Sequence, residues 1–361
     1  METAALTLLF GIFPFGQLLR LQFDKFALHP IDMGVFLVVM LSLTKIKGKH
    51  WRLAVPLLSV FVFSYLQSLF IDEASAGIVG LFYLVRIVFY ILFFMIIWGK
   101  DYLSQLYLVL VVVLIFGYLQ YLFLPDLRFI RLWGWDDHLY RMVGSFLDPG
   151  YFSILSVIGG LVSYYYFLRR RSNWYLLGLI GFGMGVVLSF SRAGYLAFVV
   201  GMGMMAFFEK KYMHLLAVLV LFGAAVIYAP KPLGEGVNLG RVYSIELRAE
   251  NYKDTAGIFV KYPVYGVGYN NLCAYRGGSS LNHACAGADS SLLYLLATTG
   301  VVGLMVVSGV FGKVLDSVGG EGKGLVFSVV GAIFLHSFSA NTLFYPWVVT
   351  VAAVVIGRSL R

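Results

Sequence analysis

Four arginines lie at unusual places in a very apolar chain, and together they indicate binding of an anion. Arg141 and Arg248 lie in two long polar segments, and Arg192 lies in a short link between two apolar runs. Arg86 is inside an apolar run, where a charge costs roughly 2.5–3.5 kcal/mol and must face a polar cavity or a partner. A planar guanidinium suits the paired oxygens of phosphate.

Two of these arginines also have structural interpretations, which the sequence leaves open. Arg141 precedes a Pro149-Gly150 turn, so it could be an interfacial arginine where the chain re-enters an apolar run. Arg86 either contacts an anion at the floor of a cavity or forms an internal ion pair, with Asp32 as the partner.

Three side chains near the polar segments are candidates for a general base, which a reacting hydroxyl requires. Asp289 is the first choice, and His283 and Glu250 come second. The alternative for Asp289 is a helix N-cap, because it directly precedes an apolar run. The sequence has no P-loop, no His-Glu-x-x-His helix and no Gly-x-Ser-x-Gly turn, so it predicts no metal and no cofactor.

A cluster upstream of Arg141 combines aromatic and acidic residues in a pattern that suits a sugar. Its members are Trp133, Trp135, Asp136, Asp137 and His138. The rings could stack on a glycan, and the carboxylates could accept hydrogen bonds from its hydroxyl groups. The alternative is that both tryptophans anchor the chain at a membrane interface.

The composition indicates that these residues belong to a membrane protein. Of the 361 residues, 60% are hydrophobic and 12% are charged, against roughly 25% charged in soluble domains, and the mean hydropathy is +0.85. The apolar runs are continuous and do not alternate, which excludes a membrane β-barrel. We expect an all-α polytopic membrane protein with about 12 transmembrane helices in a single domain, residues 1–361.

The predicted spans leave two long outer loops, near 125–149 and 230–288, and the second contains a surface helix over 246–261. The apolar face of that helix is expected to hold Ala249, Tyr252, Ala256 and Phe259. The spans fall near 3–19, 30–44, 53–70, 76–98, 102–124, 150–168, 173–190, 193–208, 212–229, 289–312, 323–338 and 342–357.

The distribution of basic residues predicts the orientation. One set of short loops and the C-terminus hold 14 lysines and arginines, and the opposite short loops hold 3. By the positive-inside rule, both termini are expected in the cytoplasm of a bacterium, with the chain in the inner (plasma) membrane. The formal net charge of +9 lies on that cytoplasmic face, so a nucleic-acid partner has no support.

The two cysteines, Cys273 and Cys285, both lie in the second outer loop. A disulfide and two free thiols are both open at this stage, since the outer side of the membrane is oxidising. A zinc site that adds His283 has unsuitable spacing.

Over about residues 141–303, the chain resembles the O-antigen polymerase/O-antigen ligase superfamily of bacterial membrane glycosyltransferases. The shared pieces are Arg141-x-x-Gly144…Pro149, the Ser191-Arg192 link, Arg248 with Pro263-x-x-Gly266-x-Gly268 fifteen residues later, and Thr299-Gly300-Val-Val-Gly303. Ligases of this superfamily carry a histidine eleven residues before the glycine that matches Gly300, and here that position is Asp289. This departure favours a Wzy-type polymerase over a ligase.

The resemblance implies a GT-C-type bundle that acts on glycans linked to undecaprenyl diphosphate, which serve as both donor and acceptor. It implies no nucleotide sugar and no metal. Arg192 and Arg248 would bind the diphosphate, with Arg141 and Arg86 in support. Membrane lipids are expected partners, and a chain-length regulator is left open. The rival from another class is a flippase or transporter for lipid-linked glycans, which would place its charges near the bilayer midplane.

Overall fold

The computed structural model describes residues 2–23, 26–70, 74–232, 234–276, 285 and 287–360. This part of the chain is mostly helical, as predicted, and has one antiparallel pair of short strands, Leu21–Phe23 (β1) and Phe26–Leu28 (β2). The α-helices are α1 Glu2–Ile12, α2 Pro30–Ser42, α3 Gly48–Leu69, α4 Ala74–Ile97, α5 Leu103–Phe123, α6 Pro149–Arg170, α7 Asn173–Ser189, α8 Arg192–Glu209, α9 Tyr212–Tyr228, α10 Tyr243–Lys261, α11 Leu272–Tyr275, α12 Ser291–Asp316, α13 Lys323–His336 and α14 Pro346–Arg358. The 3₁₀ helices are Phe13–Leu19, Leu43–Lys45, Arg128–Trp133, Gly144–Phe146, Glu235–Val237, Gly320–Gly322 and Thr342–Phe344.

Each of the twelve predicted spans overlaps a helix. Within the described ranges, 6 helical segments are long and apolar enough to cross a membrane, including Gly48–Leu69, Pro149–Arg170 and Ser291–Asp316. Asn173–Ser189, Tyr212–Tyr228 and Pro346–Arg358 are apolar but shorter. The chain is therefore an all-α membrane protein, and the number twelve stays a prediction.

Helix α6 lies at the centre of the bundle and packs against α7 and α8. Glycines allow these helices to approach each other closely. A Cβ atom at Gly159 would lie 2.3 Å from Cε1 of Phe182, and one at Gly194 would lie 2.3 Å from Oγ of Ser153. The link from α7 to α8 is consequently held against the start of α6, at the level where Arg141 and Arg192 lie.

Helix α12 is broken at Gly300, where φ is 66° and ψ is −170°. The segment after α10 supplies hydrogen bonds across the break. The amide of Val267 donates to the carbonyl of Ala297 over 2.9 Å, and the amide of Val301 donates to the carbonyl of Pro263 over 2.9 Å. The polar backbone groups released by the break are thereby satisfied within the protein, as a membrane interior requires.

The predicted surface helix is present as α10, which begins one turn earlier, at Tyr243. Its predicted inner face was partly wrong, because Ala249 is exposed while Thr255 and Ile258 are buried. Downstream, Cys273 and Cys285 form a disulfide, which decides against two free thiols.

Candidate active site

Two arginines meet at the C-terminal end of α7, where helix carbonyls lack partners within the helix. The Nε of Arg141 donates to the carbonyl of Ser189 over 3.0 Å, and its Nη2 donates to that of Phe190 over 3.3 Å. Arg241 reaches the same Phe190 carbonyl from the second outer loop over 3.3 Å. The negative end of the α7 dipole thus draws two cations to one place.

Arg192, the first residue of α8, holds the start of α10 in position. Its Nη1 donates to the carbonyls of Leu239 over 3.3 Å and Arg241 over 3.1 Å, and its Nη2 donates to Oγ of Ser244 over 2.8 Å. Part of the guanidinium is therefore committed to the loop that carries Arg241.

Arg248 completes the group from the half-buried face of α10. Burial and then the charge of Arg241 lower the pKa of Arg141 to about 10, with a smaller contribution from Arg248. Burial and then the charges of Arg192 and Arg248 lower the pKa of Arg241. Arg141 and Arg241 thus share the Phe190 carbonyl, and Arg192 donates to the carbonyl of Arg241. Arg248 is near enough for its charge to act on the pKa of Arg141 and Arg241.

We refer to Arg141, Arg192, Arg241 and Arg248 as the arginine cluster. No described residue forms an ion pair with any member of it. Arg248 also makes no hydrogen bond within the described part of the chain. A cluster of positive charge without a carboxylate partner is suited to bind an anionic ligand. In Arg248, all N–H groups of the guanidinium are available to donate to such a ligand.

Asp289 lies beside the arginine cluster, between α10 and α12. Its backbone amide donates to Oδ1 of Asn251 over 3.0 Å, which fixes its position against α10. Burial raises the pKa of the carboxyl above its ordinary value of 3.8, and the charges of Arg248 and Arg276 oppose this effect. A half-buried carboxylate beside cations is a suitable general base.

The alternative role of Asp289 as an N-cap is wrong. Ser290 is the N-cap of α12, and its Oγ accepts a hydrogen bond from the amide of Leu293 over 3.4 Å. The carboxyl of Asp289 is consequently not needed to begin the helix.

The other candidate bases are less favourably placed. Glu250 is exposed on α10, away from the buried positions Thr255 and Ile258. His283 lies outside the described residues.

The aromatic and acidic residues upstream of Arg141 differ in their exposure. Trp133 is 70% exposed, whereas Trp135 is half-buried, with the guanidinium of Arg20 5.1 Å from the centre of its ring. Asp136 and Asp137 are exposed, and Asp136 is near enough to Asp289 to raise its pKa. The segment therefore comes close to the candidate base, as contact with a glycan would require.

Arg86 is in an internal ion pair, one of the two alternatives that the sequence left open. Its Nη2 lies 2.7 Å from Oδ2 of Asp32, and the hydroxyl of Tyr90 donates to Oδ1 of the same carboxylate over 3.1 Å. The carboxylate balances this charge within the bundle.

Sequence reasoning missed three residues near the site, in addition to Arg241. Asp148 is the N-cap of α6, where its Oδ1 accepts from the amide of Tyr151 over 2.8 Å, and its charge acts on Arg141. Arg276 donates to the carbonyl of Gly287 over 2.6 Å and so supports the segment before Asp289. The Asp-Pro pair at 148–149 is a sequence signal for the start of a helix and could have identified Asp148. No sequence pattern around Arg276 predicts its contact with this site. His336 is fully buried with Nε2 unpartnered among the described residues, and it too has no local signal.

A family model described as O-antigen ligase matches residues 176–308. The matched region includes Arg192, Arg248 and Asp289. The resemblance to the O-antigen polymerase/O-antigen ligase superfamily is thus confirmed over this segment. Comparison with curated proteins gave no match. The family match and the apolar helices together support a membrane function of the O-antigen ligase/polymerase type.

Proposed function

We propose that this chain is a membrane glycosyltransferase that polymerises oligosaccharide repeat units linked to undecaprenyl diphosphate. The observation that carries the proposal is the arginine cluster beside Asp289, in which Arg248 has no protein partner among the described residues. The family match at this region supports the choice of a lipid-linked glycan as substrate. The reaction takes place on the outer face of the inner membrane, within a GT-C-type bundle.

The arginine cluster binds the diphosphate of the donor and stabilises the negative charge that grows there as the bond breaks. A hydroxyl of the acceptor glycan attacks the anomeric carbon of the donor, and Asp289 accepts the hydroxyl proton. The bond from the anomeric carbon to the diphosphate oxygen breaks as the new glycosidic bond forms. Undecaprenyl diphosphate leaves with both electrons of the broken bond.

The identity of residue 289 favours a polymerase over a ligase. Ligases of the superfamily carry histidine at the matching position, whereas this chain has an aspartate whose pKa the charges of Arg248 and Arg276 act to lower. The acceptor is accordingly a second lipid-linked repeat unit. A chain-length regulator is a further partner consistent with this reaction.

A flippase is the second candidate, and the charge at mid-span argues against it. Transporters use charges near the bilayer midplane to bind substrate. Arg86 is the arginine at that depth, and Asp32 already neutralises it at 2.7 Å. The unneutralised charges lie in the outer segments instead.

The test is the polysaccharide ladder of a strain that lacks this chain, complemented with wild type or Arg248→Ala at equal membrane level. The proposal predicts a product capped by one repeat unit in the deletion strain and in the variant, and a ladder with wild type. No repeat attached to the acceptor would identify a ligase. Repeat units trapped on the cytoplasmic leaflet would identify a flippase.

A further inference from the structure

A small chamber reaches the segment that precedes Asp289, and its lining is distinct from the arginine cluster. It has a volume of about 190 Å³ and is lined by residues of α4, α12 and α14, the 269–270 segment and the turn before α14. Gly287, two residues before Asp289, contributes to its wall, and none of the four cluster arginines does. The chamber therefore reaches the segment that leads to the candidate base but is separate from the anion site.

The charge in the chamber wall is balanced. Arg86 is the charged residue among those that line it, and Asp32 forms an ion pair with that arginine inside the bundle. A ligand with a negative charge would have to compete with this carboxylate. The chamber thus suits a neutral ligand.

The remaining wall combines flat rings with polar atoms. Tyr269, Tyr294 and Phe344 pack edge to face, with centroids 4.9 Å apart for Tyr294 and Phe344 and 6.1 Å apart for Tyr269 and Tyr294. Mutual packing of this kind keeps the rings in fixed orientations. A sugar presents an apolar face of C–H groups to such rings and hydroxyls at its edge.

One polar atom in the wall needs a donor. Oδ1 of Asn341 is buried and has no hydrogen-bond partner among the described residues. A buried acceptor without a partner is unfavourable, so a ligand hydroxyl that donates to it would be bound in a defined orientation. Asn341 is also held close to α12, since Oγ of Ser291 donates to the carbonyl of the preceding Ala340 over 3.2 Å.

We propose that this chamber binds one neutral sugar residue of the acceptor glycan, beside the segment that leads to Asp289. The assignment to the acceptor rests on the proposed function, because the arginine cluster takes the diphosphate of the donor. The volume is below that of sites for drug-sized ligands, which have roughly 300–1,000 Å³, and so limits the ligand to a single ring. The chamber would then select which terminal sugar is extended.

Filling the chamber provides a direct test. A Cβ atom at Gly287 would meet no heavy atom within 4 Å, and its φ is not positive, so Gly287→Leu adds bulk without backbone strain. Gly257→Leu is the matched control, since Gly257 also has open space, lies on the exposed side of α10 and does not line the chamber. Asn341→Ala is a second variant that removes the acceptor atom.

The probes are methyl hexopyranosides and methyl N-acetylhexosaminides, with binding measured by saturation-transfer difference NMR on protein in nanodiscs. We expect at least one glycoside to bind wild type and Gly257→Leu, with tenfold or greater loss in Gly287→Leu and clear weakening in Asn341→Ala. Absence of binding to wild type, or equal binding by the filled and control variants, would overturn the proposal.

Inorganic pyrophosphate separates this inference from the proposed function. Pyrophosphate should bind wild type and Gly287→Leu equally and should be lost in Arg248→Ala, and the glycoside should show the opposite pattern. If Arg248→Ala retains both pyrophosphate binding and a normal ladder, the role of the arginine cluster in the proposed function fails, while glycoside binding still reports on the chamber. If pyrophosphate displaces the glycoside, the chamber is part of the anion site and the inference fails.

Discussion

Gly300 and Val264 are in contact so close that only glycine can occupy position 300. A Cβ atom there would lie 2.1 Å from the carbonyl oxygen of Val264, and the φ of Gly300 is +66°. The amide of Val302 donates to that same Val264 carbonyl over 3.2 Å. The two glycine-rich motifs, at 263–268 and 299–303, thus form one joint between the second outer loop and α12.

The joint predicts that Gly300→Ala destabilises the protein. A residue other than glycine at φ +66° and ψ −170° costs roughly 1–3 kcal/mol, and the clash with Val264 adds to it. We expect a lower membrane level and a melting temperature several degrees below wild type. Gly309→Ala is the control, because a Cβ at Gly309 in the same helix meets nothing within 4 Å. Equal melting temperatures for the two variants would contradict the close contact.

Arg248 is expected to be needed for polymer formation. A charge-assisted hydrogen bond contributes roughly 1.5–3 kcal/mol, so Arg248→Ala should reduce the rate about ten- to a hundredfold. Arg248→Lys should recover little of it, because an ammonium group cannot make the paired contact. Arg128→Ala is the control, since Arg128 is an exposed outer arginine paired with Asp126. The measurement is ladder intensity at equal protein level, and a normal ladder with Arg248→Ala would remove this residue from the site.

Asp289→Asn should leave the fold intact and remove most activity. Ser290 caps α12, and the amide of residue 289 can still donate to Asn251, so neither contact depends on the carboxylate. Asn cannot accept the hydroxyl proton, and general base catalysis contributes about 10²–10⁴-fold. Membrane level, melting temperature and polymerisation rate are measured together. A fully active Asn variant would show that the reaction requires no base at this position.

The acid limb of the pH–rate profile should move when Asp136 is neutralised. The charge of Asp136 helps to raise the pKa of Asp289, so Asp136→Asn lowers that pKa. A base acts when deprotonated, and activity should therefore persist to lower pH in the variant, with little change above the limb. Asp137→Asn is the matched control, because Asp137 is not among the charges that act on Asp289. A limb that stays in place for Asp136→Asn would contradict the coupling between Asp136 and the titrating base.

Orientation is tested with single cysteines in spheroplasts. The two native cysteines are paired with each other, so they give no background with an impermeant maleimide. Ser172→Cys, beside the basic Arg169–Arg171 segment, should label only after permeabilisation, whereas the exposed Asp137→Cys should label without it. Labelling of Ser172→Cys in intact spheroplasts would reverse the predicted topology.

The sequence predicted the helices well because each apolar run is long and continuous. It singled out Arg141, Arg192 and Arg248 because charges are rare in this chain, and their role in a site stays a prediction. Local pattern was a weaker guide at helix ends. Asp289 and Ser290 are both good N-caps, and only the backbone geometry assigns the role to Ser290.

Contacts between distant parts of the chain could not be predicted from local sequence patterns. Arg241 belongs to the arginine cluster because the predicted second outer loop folds back onto the end of α7. The residues around Arg241 form no sequence pattern that predicts this contact. The pair of Arg86 and Asp32 was foreseen only as an alternative, since two separate helices supply it. The break at Gly300 was not predicted, because Thr299-Gly300 resembles any glycine in a packed membrane helix.

Helix α10 is fixed at both ends by the membrane bundle. Arg192 of α8 holds its beginning through Ser244, and the Val264–Gly300 joint with α12 holds its end. In its middle, the hydroxyl of Tyr252 donates to the carbonyl of Phe338, after α13. Because α10 is bound to α8 at one end and to α12 at the other, the position of the Arg248 guanidinium depends on how α8 and α12 are placed relative to each other.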